Sequence, residues 1–292
     1  MSTNRKSGLE EKVFKLVAYI YFFLFSLAVL VPFYVVLKNS ITSHEESLST
    51  MHFLWFPKQG VTLEAYTTAF FSNVLKAYDI SILRAFFNTL WQTLPSLIIG
   101  LFVSGLAAFA YAKLKFRGKD RLFTLMVATM MIPGAVLTMP SYVFYDSIGW
   151  TNSVLPLMIP GLFGGAGTIF FLRQFFRGIP DELIEAAKID GMGYMRIYTS
   201  VMIPLAKPAF VAQFIFGFVG GYNSYMGPLL YLNGQTRLYP LQQALTLFRQ
   251  IYSGNGPVVS ALTVLALLPL LIVYFCMLGY FTEGIASTGI KE

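Results

Sequence analysis

The chain has 292 residues, 56% of them hydrophobic and only 12% charged, with a mean hydropathy of +0.63, which excludes a soluble domain of this length. Its net charge of +7 sits at the ends of apolar runs and not along one surface with interleaved aromatics, so topology explains it better than nucleic acid. The single cysteine, Cys276, lies within an apolar run, so neither a disulfide framework nor a thiolate metal site is built from this chain alone.

A hydrocarbon core about 30 Å thick takes roughly 20 helical residues. Six segments meet that length: 13–37, 86–112, 122–147, 154–176, 209–232 and 258–281. The fold class expected is therefore an all-α integral membrane protein, a six-helix transmembrane domain over 13–281 between an N-terminal segment, 1–12, and a tail, 282–292. The first run follows Arg5, Lys6 and Lys12 as a secretory signal would, but it is too long for one and lacks a small-residue cleavage site. With the N-terminus inside, the outer side holds six basic residues, Lys38, Lys58, Lys76, Arg84, Arg237 and Arg249, and the inner side the other fifteen of the 21. The positive-inside rule then puts both termini in the cytoplasm.

The first outer loop, 38–85, carries both histidines and a Trp55-Phe56-Pro57 cluster, and is long enough to pack over a pore mouth. His44 and His52 stand beside Glu45 and Glu46, yet two histidines in a loop are more often solvated side chains than ligands, and no metal is expected. Span two ends in the small-residue stretch Leu106-Ala107-Ala108-Phe109-Ala110, which lets helices approach closely in lipid. Span four holds Pro156, Pro160, Gly161, Gly164, Gly165 and Gly167. Such a backbone is tolerated only where protein or water satisfies the freed groups, which places this span inside the bundle, beside a pathway or in tight helix packing.

Between spans four and five lies a charged island, 177–208. Pro180 suits a first helical position, Asp181 and Glu182 put negative charge in the first turn, and Asp190-Gly191 stop the helix. Leu183, Ile184 and Ala187 share a face at helical spacing and form a shallow apolar knob. A second helix runs from Tyr194 to Val201 until Pro204 and Pro208 break it. Span five carries the most polar patch within the membrane, Tyr222-Asn223-Ser224-Tyr225. Amide and phenol groups there suit hydroxyls while aromatic faces suit a sugar ring, and interhelical hydrogen bonding explains the same residues. The outer loop 233–257 is available to a partner.

No ionisable side chain falls at the centre of any span, which argues against a proton- or cation-coupled carrier. No G-x-x-x-x-G-K-[ST] loop exists, so ATP would have to be bound elsewhere, and no nucleophile, base and acid gather at one depth to make an enzyme.

Glu185-Ala186-Ala187, then Asp190-Gly191, Ile197, Ile203-Pro204 and Pro208, resemble the EAA loop of bacterial ABC importer permeases, with Met192, Gly193 and Val201 departing from the usual residues. Phe56-Pro57 with Thr62-Leu63-Glu64-x-Tyr66, the end of span two, Tyr222-Asn223 before Pro228, and Phe281-x-x-Gly284 before Lys291 resemble a MalG-like permease subunit of a carbohydrate importer; Thr288 stands where that tail has its second glycine. The resemblance implies a type I ABC permease fold and a MalF-like second permease subunit. It also implies two ABC ATPase subunits, which bind ATP and Mg, and an extracytoplasmic solute-binding protein that delivers carbohydrate to the permease in its lipid bilayer. It implies no cofactor in this chain, an ATPase-coupling role for Glu185, Ala186, Ala187, Asp190 and Gly191, and a substrate path at Tyr222, Asn223 and Tyr225. A facilitator or scaffold without an ATPase is the alternative, and the island separates the two.

Overall fold

The computed structural model describes residues 3–49, 55–71 and 77–288, with side chains over 11–49, 55–71 and 77–279. His52, Lys76 and the side chains of the 282–292 tail lie outside the described residues. Every regular element among the described residues is helical. Among the described residues, four helical stretches are long and apolar enough to cross a membrane without a sharp bend: Glu11–Ser40, Ile82–Lys113, Leu155–Arg177, which is interrupted at 163–165, and Gly256–Gly279. The other two expected spans belong to bent pairs. Lys119–Thr129 and Gly134–Ser147 meet at 92°, and Tyr194–Leu205 meets Lys207–Tyr222 at 82°, so spans three and five are not the straight rods their hydropathy implies.

Pro133 precedes the second half of the first bent pair, and its ring cannot continue a helix from Met131-Ile132. In the second pair the break falls at Ala206 (φ −97°, ψ 13°), with Pro208 in the first turn of the next helix. Pro204 does not end the preceding helix as expected, because a π-turn at Tyr198–Met202 widens the coil just before it. Span five stops at Tyr222 and resumes only at Met226–Tyr231.

By Cα proximity the chain divides into two compact units, Met1–Ser72 with Phe248–Leu267, and Asn73–Leu247 with Leu268–Glu292. In the larger unit, α1 (Ile82–Lys113) is the element on which α2 (Leu155–Leu162), α3 (Ala166–Arg177) and α4 (Lys207–Tyr222) pack. Its contact face is a stripe four residues apart, Gln92, Ser96, Gly100, Ser104 and Ala108, all buried. A Cβ on Gly100 would lie 2.1 Å from the Gly161 carbonyl oxygen, so glycine alone permits this approach. The break between α2 and α3 is stitched to the same stripe. Ser96 Oγ donates to the Met158 carbonyl (2.9 Å), and the Gly165 N–H donates to Ser104 Oγ (3.1 Å). Backbone groups released in mid-membrane are thereby satisfied by protein, the condition under which a broken span is tolerated.

In the smaller unit, a buried glutamate organises the loop that follows span one. Glu46, only 4% exposed, accepts N–H bonds from Lys58 (2.7 Å) and Gln59 (3.1 Å), and Ser43 Oγ donates to Gln59 Oε1 (2.9 Å). The Lys58 amide above all holds the Glu46 carboxyl below the usual carboxylate range, against the opposing effect of burial.

Two outcomes are expected. Gly100→Val drives a side chain into the α2 backbone, and overpacking of this kind costs about 1–3 kcal/mol or more. It should lower the melting temperature in detergent sharply, while Gly167→Ala, whose Cβ meets nothing closer than Met130 Cε at 3.6 Å, should not. For Glu46, the folded-state pKa lies below the unfolded one, so its contribution is present at neutral pH and lost as pH falls through the carboxylate range toward the folded value. Protease sensitivity of the 38–72 loop should therefore rise on acidification, and Glu46→Gln should be sensitive already at neutral pH with no further pH dependence.

Candidate functional site: a membrane cavity and a charged island

The larger unit contains a cavity of about 510 Å³ walled by α1, α2, α3 and α4. Its polar groups are all uncharged, from Gln92, Thr93, Ser96, Ser104, Thr168, Gln213 and Ser224. Phe216 is its one aromatic, and Gly161, Gly164, Gly165, Gly217 and Gly221 expose backbone to it. The volume lies within the range of small-molecule sites, about 300–1,000 Å³. At one end the segment 237–241 is tied across the wall. Asn88 Nδ2 donates to the carbonyls of Arg237 (2.8 Å) and Tyr239 (3.1 Å), Gln92 Nε2 donates to that of Leu238 (2.8 Å), and the Leu241 N–H donates to Thr89 Oγ1 (2.8 Å). Pro240 of this segment lines the cavity beside Gln92.

The three residues expected on a substrate path do not line this cavity. Tyr222 is 1% exposed, with its ring 5.7 Å from that of Phe218. Asn223 ends the helix, its Nδ2 donating to the Val219 carbonyl (2.9 Å) while its Oδ1 accepts from Gln242 Nε2 (3.0 Å). Tyr225 is 37% exposed beyond the break. The residues that do face the cavity from span five, Gln213, Phe216, Gly217, Gly221 and Ser224, follow helical spacing, and the four-residue stripe of Gln92, Ser96, Gly100 and Ser104 on span two was a readable signal.

The charged island folds as α5 (Glu182–Ile189), a reversal, and α6 (Tyr194–Leu205). Pro180 falls outside the first helix, which begins after Asp181. Lys113 Nζ, at the end of α1, bonds Asp181 Oδ1 (2.5 Å) and the Ile179 carbonyl. That hydrogen bond holds the Asp181 carboxyl below its ordinary range. The reversal is a Schellman motif: the Met192 N–H donates to the Ala187 carbonyl (2.9 Å) and the Gly191 N–H to that of Lys188 (3.0 Å), with Gly191 at φ +76°. Glu185, Ala186, Asp190 and Gly191 are exposed, whereas Ala187 is buried.

The apolar face expected of α5 is divided. Ile184 and Ala187 turn inward onto a core made with Ala108 and Phe109 of α1, Leu172 and Phe176 of α3, and Ile197, Tyr198 and Met202 of α6. Leu183 is 43% exposed and Ile189 86% exposed, and Tyr194 and Met195 are exposed just beyond them. The inward half is tied firmly to the bundle. Tyr198 lies over Gly105, where a Cβ would be 2.3 Å from its hydroxyl oxygen, and Tyr198 OH donates to the Phe102 carbonyl (2.7 Å). Among the described residues no group of three or more His, Cys, Asp or Glu side chains is placed to hold a metal.

An apolar bundle with a polar-lined cavity of small-molecule size and a charged island that bears an exposed knob is the build of a membrane transport subunit. Residues 97–287 match the family model described as "Binding-protein-dependent transport system inner membrane component", and the chain belongs to that family. It is the permease subunit of an ABC importer. It is 26% identical to the arabinooligosaccharides transport system permease protein AraQ of Bacillus subtilis over 96% of each chain. It is 31% identical to a putative ABC transporter permease protein, ORF2, of a Caldicellulosiruptor strain, over 89% of this chain and 91% of that one. A chain from the crystal structure of a bacterial ABC transporter involved in import of the acidic polysaccharide alginate superposes with a TM-score of 0.80 at 22% identity, covering 93% of this chain and 98% of that one, and shares the fold.

Gly191→Val should break the reversal, because a β-branched residue at positive φ costs about 1–2 kcal/mol even where space is free. Gly191→Asn, which tolerates that conformation, should retain most uptake; parallel transport assays at equal membrane expression decide it.

Proposed function

We propose that this subunit carries a neutral carbohydrate across the bacterial cytoplasmic membrane, with both termini and the 177–208 island in the cytoplasm. A MalF-like permease completes the pathway, two ABC ATPase subunits supply ATP- and Mg-dependent closure, and an extracytoplasmic binding protein delivers the sugar. The chain itself has no ATPase or other catalytic site and needs no cofactor. Glu185, Ala186, Ala187, Asp190 and Gly191 form the coupling helix and its stop.

The observation that carries this reading is the divided face of α5. Its exposed apolar side, Leu183 and Ile189, offers a partner a seat, while its buried side shares one core with α1, α3 and α6, which lead to the cavity. A push on the knob is therefore delivered to the helices that wall the pathway, because a packed core moves as a body and does not deform continuously. ATP-driven closure would move α5, tilt the helices and open the path outward, and hydrolysis would reset it.

Neutrality of the cargo is supported by the cavity wall, where hydroxyls, carboxamides and backbone meet one aromatic ring and no charged side chain. A carboxylate or phosphate held there would be desolvated without a counter-charge, at a cost of several kcal/mol. Tyr222, Asn223 and Tyr225 act on the path through the shape of the span-five break.

Ile189→Asp should abolish co-purification of the ATPase while leaving the subunit inserted; recovery of a P-loop ATPase cross-linked near 185–191 in the unaltered chain is the direct check. Gln213→Leu, which removes one hydrogen-bonding group from the cavity, should reduce uptake about tenfold at low sugar concentration. Unchanged uptake in that variant would remove the cavity from the path.

A further inference from the structure

We propose that the loop after span one is an interfacial anchor, whose Trp55 and Phe56 lie in the lipid headgroup region beside span one. They do not stand in water above it.

Span one is exposed along its whole apolar window, so within its unit the flank is open to lipid. The helix runs to Ser40, and Tyr34 lies six residues earlier, about 9 Å below its end at 1.5 Å per residue. The loop nevertheless returns to that level. Tyr34 OH donates to the Trp55 carbonyl, and the Tyr34 ring lies 6.1 Å from that of Trp55 and 6.4 Å from that of Phe56. Trp55 and Phe56 are 59% and 75% exposed there, alongside the helix.

Length and charge together set what surrounds them. The apolar run 13–37 spans about 37 Å, longer than a hydrocarbon core of about 30 Å, and Lys38 closes it at this end, a side chain that stays at the headgroup level and holds the last turn there. Tyr34, Trp55 and Phe56 then form an aromatic belt, with Lys38 and Lys58 next to it in sequence, the amphipathic composition favoured at that depth. The fold-back is held, not incidental. The Glu46 clamp on the Lys58 and Gln59 amides follows directly after Phe56-Pro57, and the Thr62 N–H donates to the Ile41 carbonyl (3.0 Å), so the descending segment is pinned at its return. The proposed ligand is phospholipid, continuous with the lipid that the open flank of span one would meet. Which leaflet it occupies rests on the orientation proposed above.

The chain has three tryptophans, so Trp91→Phe and Trp150→Phe leave Trp55 as the only one in this subunit, and a matched assembly that also carries Trp55→Tyr is subtracted to remove the emission of the partner subunits. The assembled transporter carrying both changes is placed in bilayers of lipid brominated near the glycerol end or near the methyl end of the chain. Loss of most Trp55 emission with the former, less with the latter and little with aqueous iodide is the expected result. Quenching by iodide and not by bromolipid places the loop in water and overturns the proposal. Protection from all three means that protein covers it, which also overturns it. If the reporter chain does not assemble, a nitroxide on Phe56→Cys in a Cys276→Ser background gives the same distinction through oxygen against aqueous nickel accessibility.

Discussion

The fold of the larger unit depends on one constraint: a polar backbone released inside a membrane must find partners in protein. Span four is interrupted at residues 163–165, where Ser104 of span two accepts the Gly165 N–H; Ser96 donates to the Met158 carbonyl earlier in the same span, with Gly100 between them allowing backbone-to-backbone approach. A larger residue at Gly100 would push the two helices apart. Tight contact at Gly100 and the cavity beside it share the same three residues, Ser96, Gly100 and Ser104.

The cavity and the island are linked by packing. The core that buries Ile184 and Ala187 also holds Ala108 and Phe109 of span two and Leu172 and Phe176 of span four, the two elements joined higher up by the serine and glycine stripe. Lys113 ties the last turn of span two to Ile179 and Asp181 at the start of the island. Tyr198, the first residue of the π-turn, donates its hydroxyl to the Phe102 carbonyl, so the island's second helix is pinned to the same span. Few independent motions remain to a body built this way, a property suited to passing a displacement from a surface knob to a membrane pathway.

Polar side chains in this protein mostly serve backbone. Asn88, Thr89 and Gln92 spend their hydrogen bonds on 237–241, Asn223 on Val219, and Glu46 on Lys58 and Gln59. A polar patch read from sequence is for this reason an ambiguous sign of a ligand: the patch at 222–225 ends a helix and gives the cavity only Ser224, while the other polar groups that face it are scattered over three spans.

The sequence by itself determined the membrane class, the number of apolar segments, the charged island with its stop at Asp190-Gly191, and the family. These follow from composition, from the length of apolar runs and from short-range backbone preferences, all of which are local. Gly191 at positive φ is the clearest case, since a Schellman stop needs only its own turn. Tertiary structure alone decided that spans three and five bend, that Pro204 is absorbed by a π-turn, that α5 divides its apolar face, and that Gln213 and not Asn223 faces the cavity. Each of these depends on which neighbour supplies a missing hydrogen bond or fills a given space, and such neighbours lie tens of residues away in the chain, as Ser104 does from Gly165.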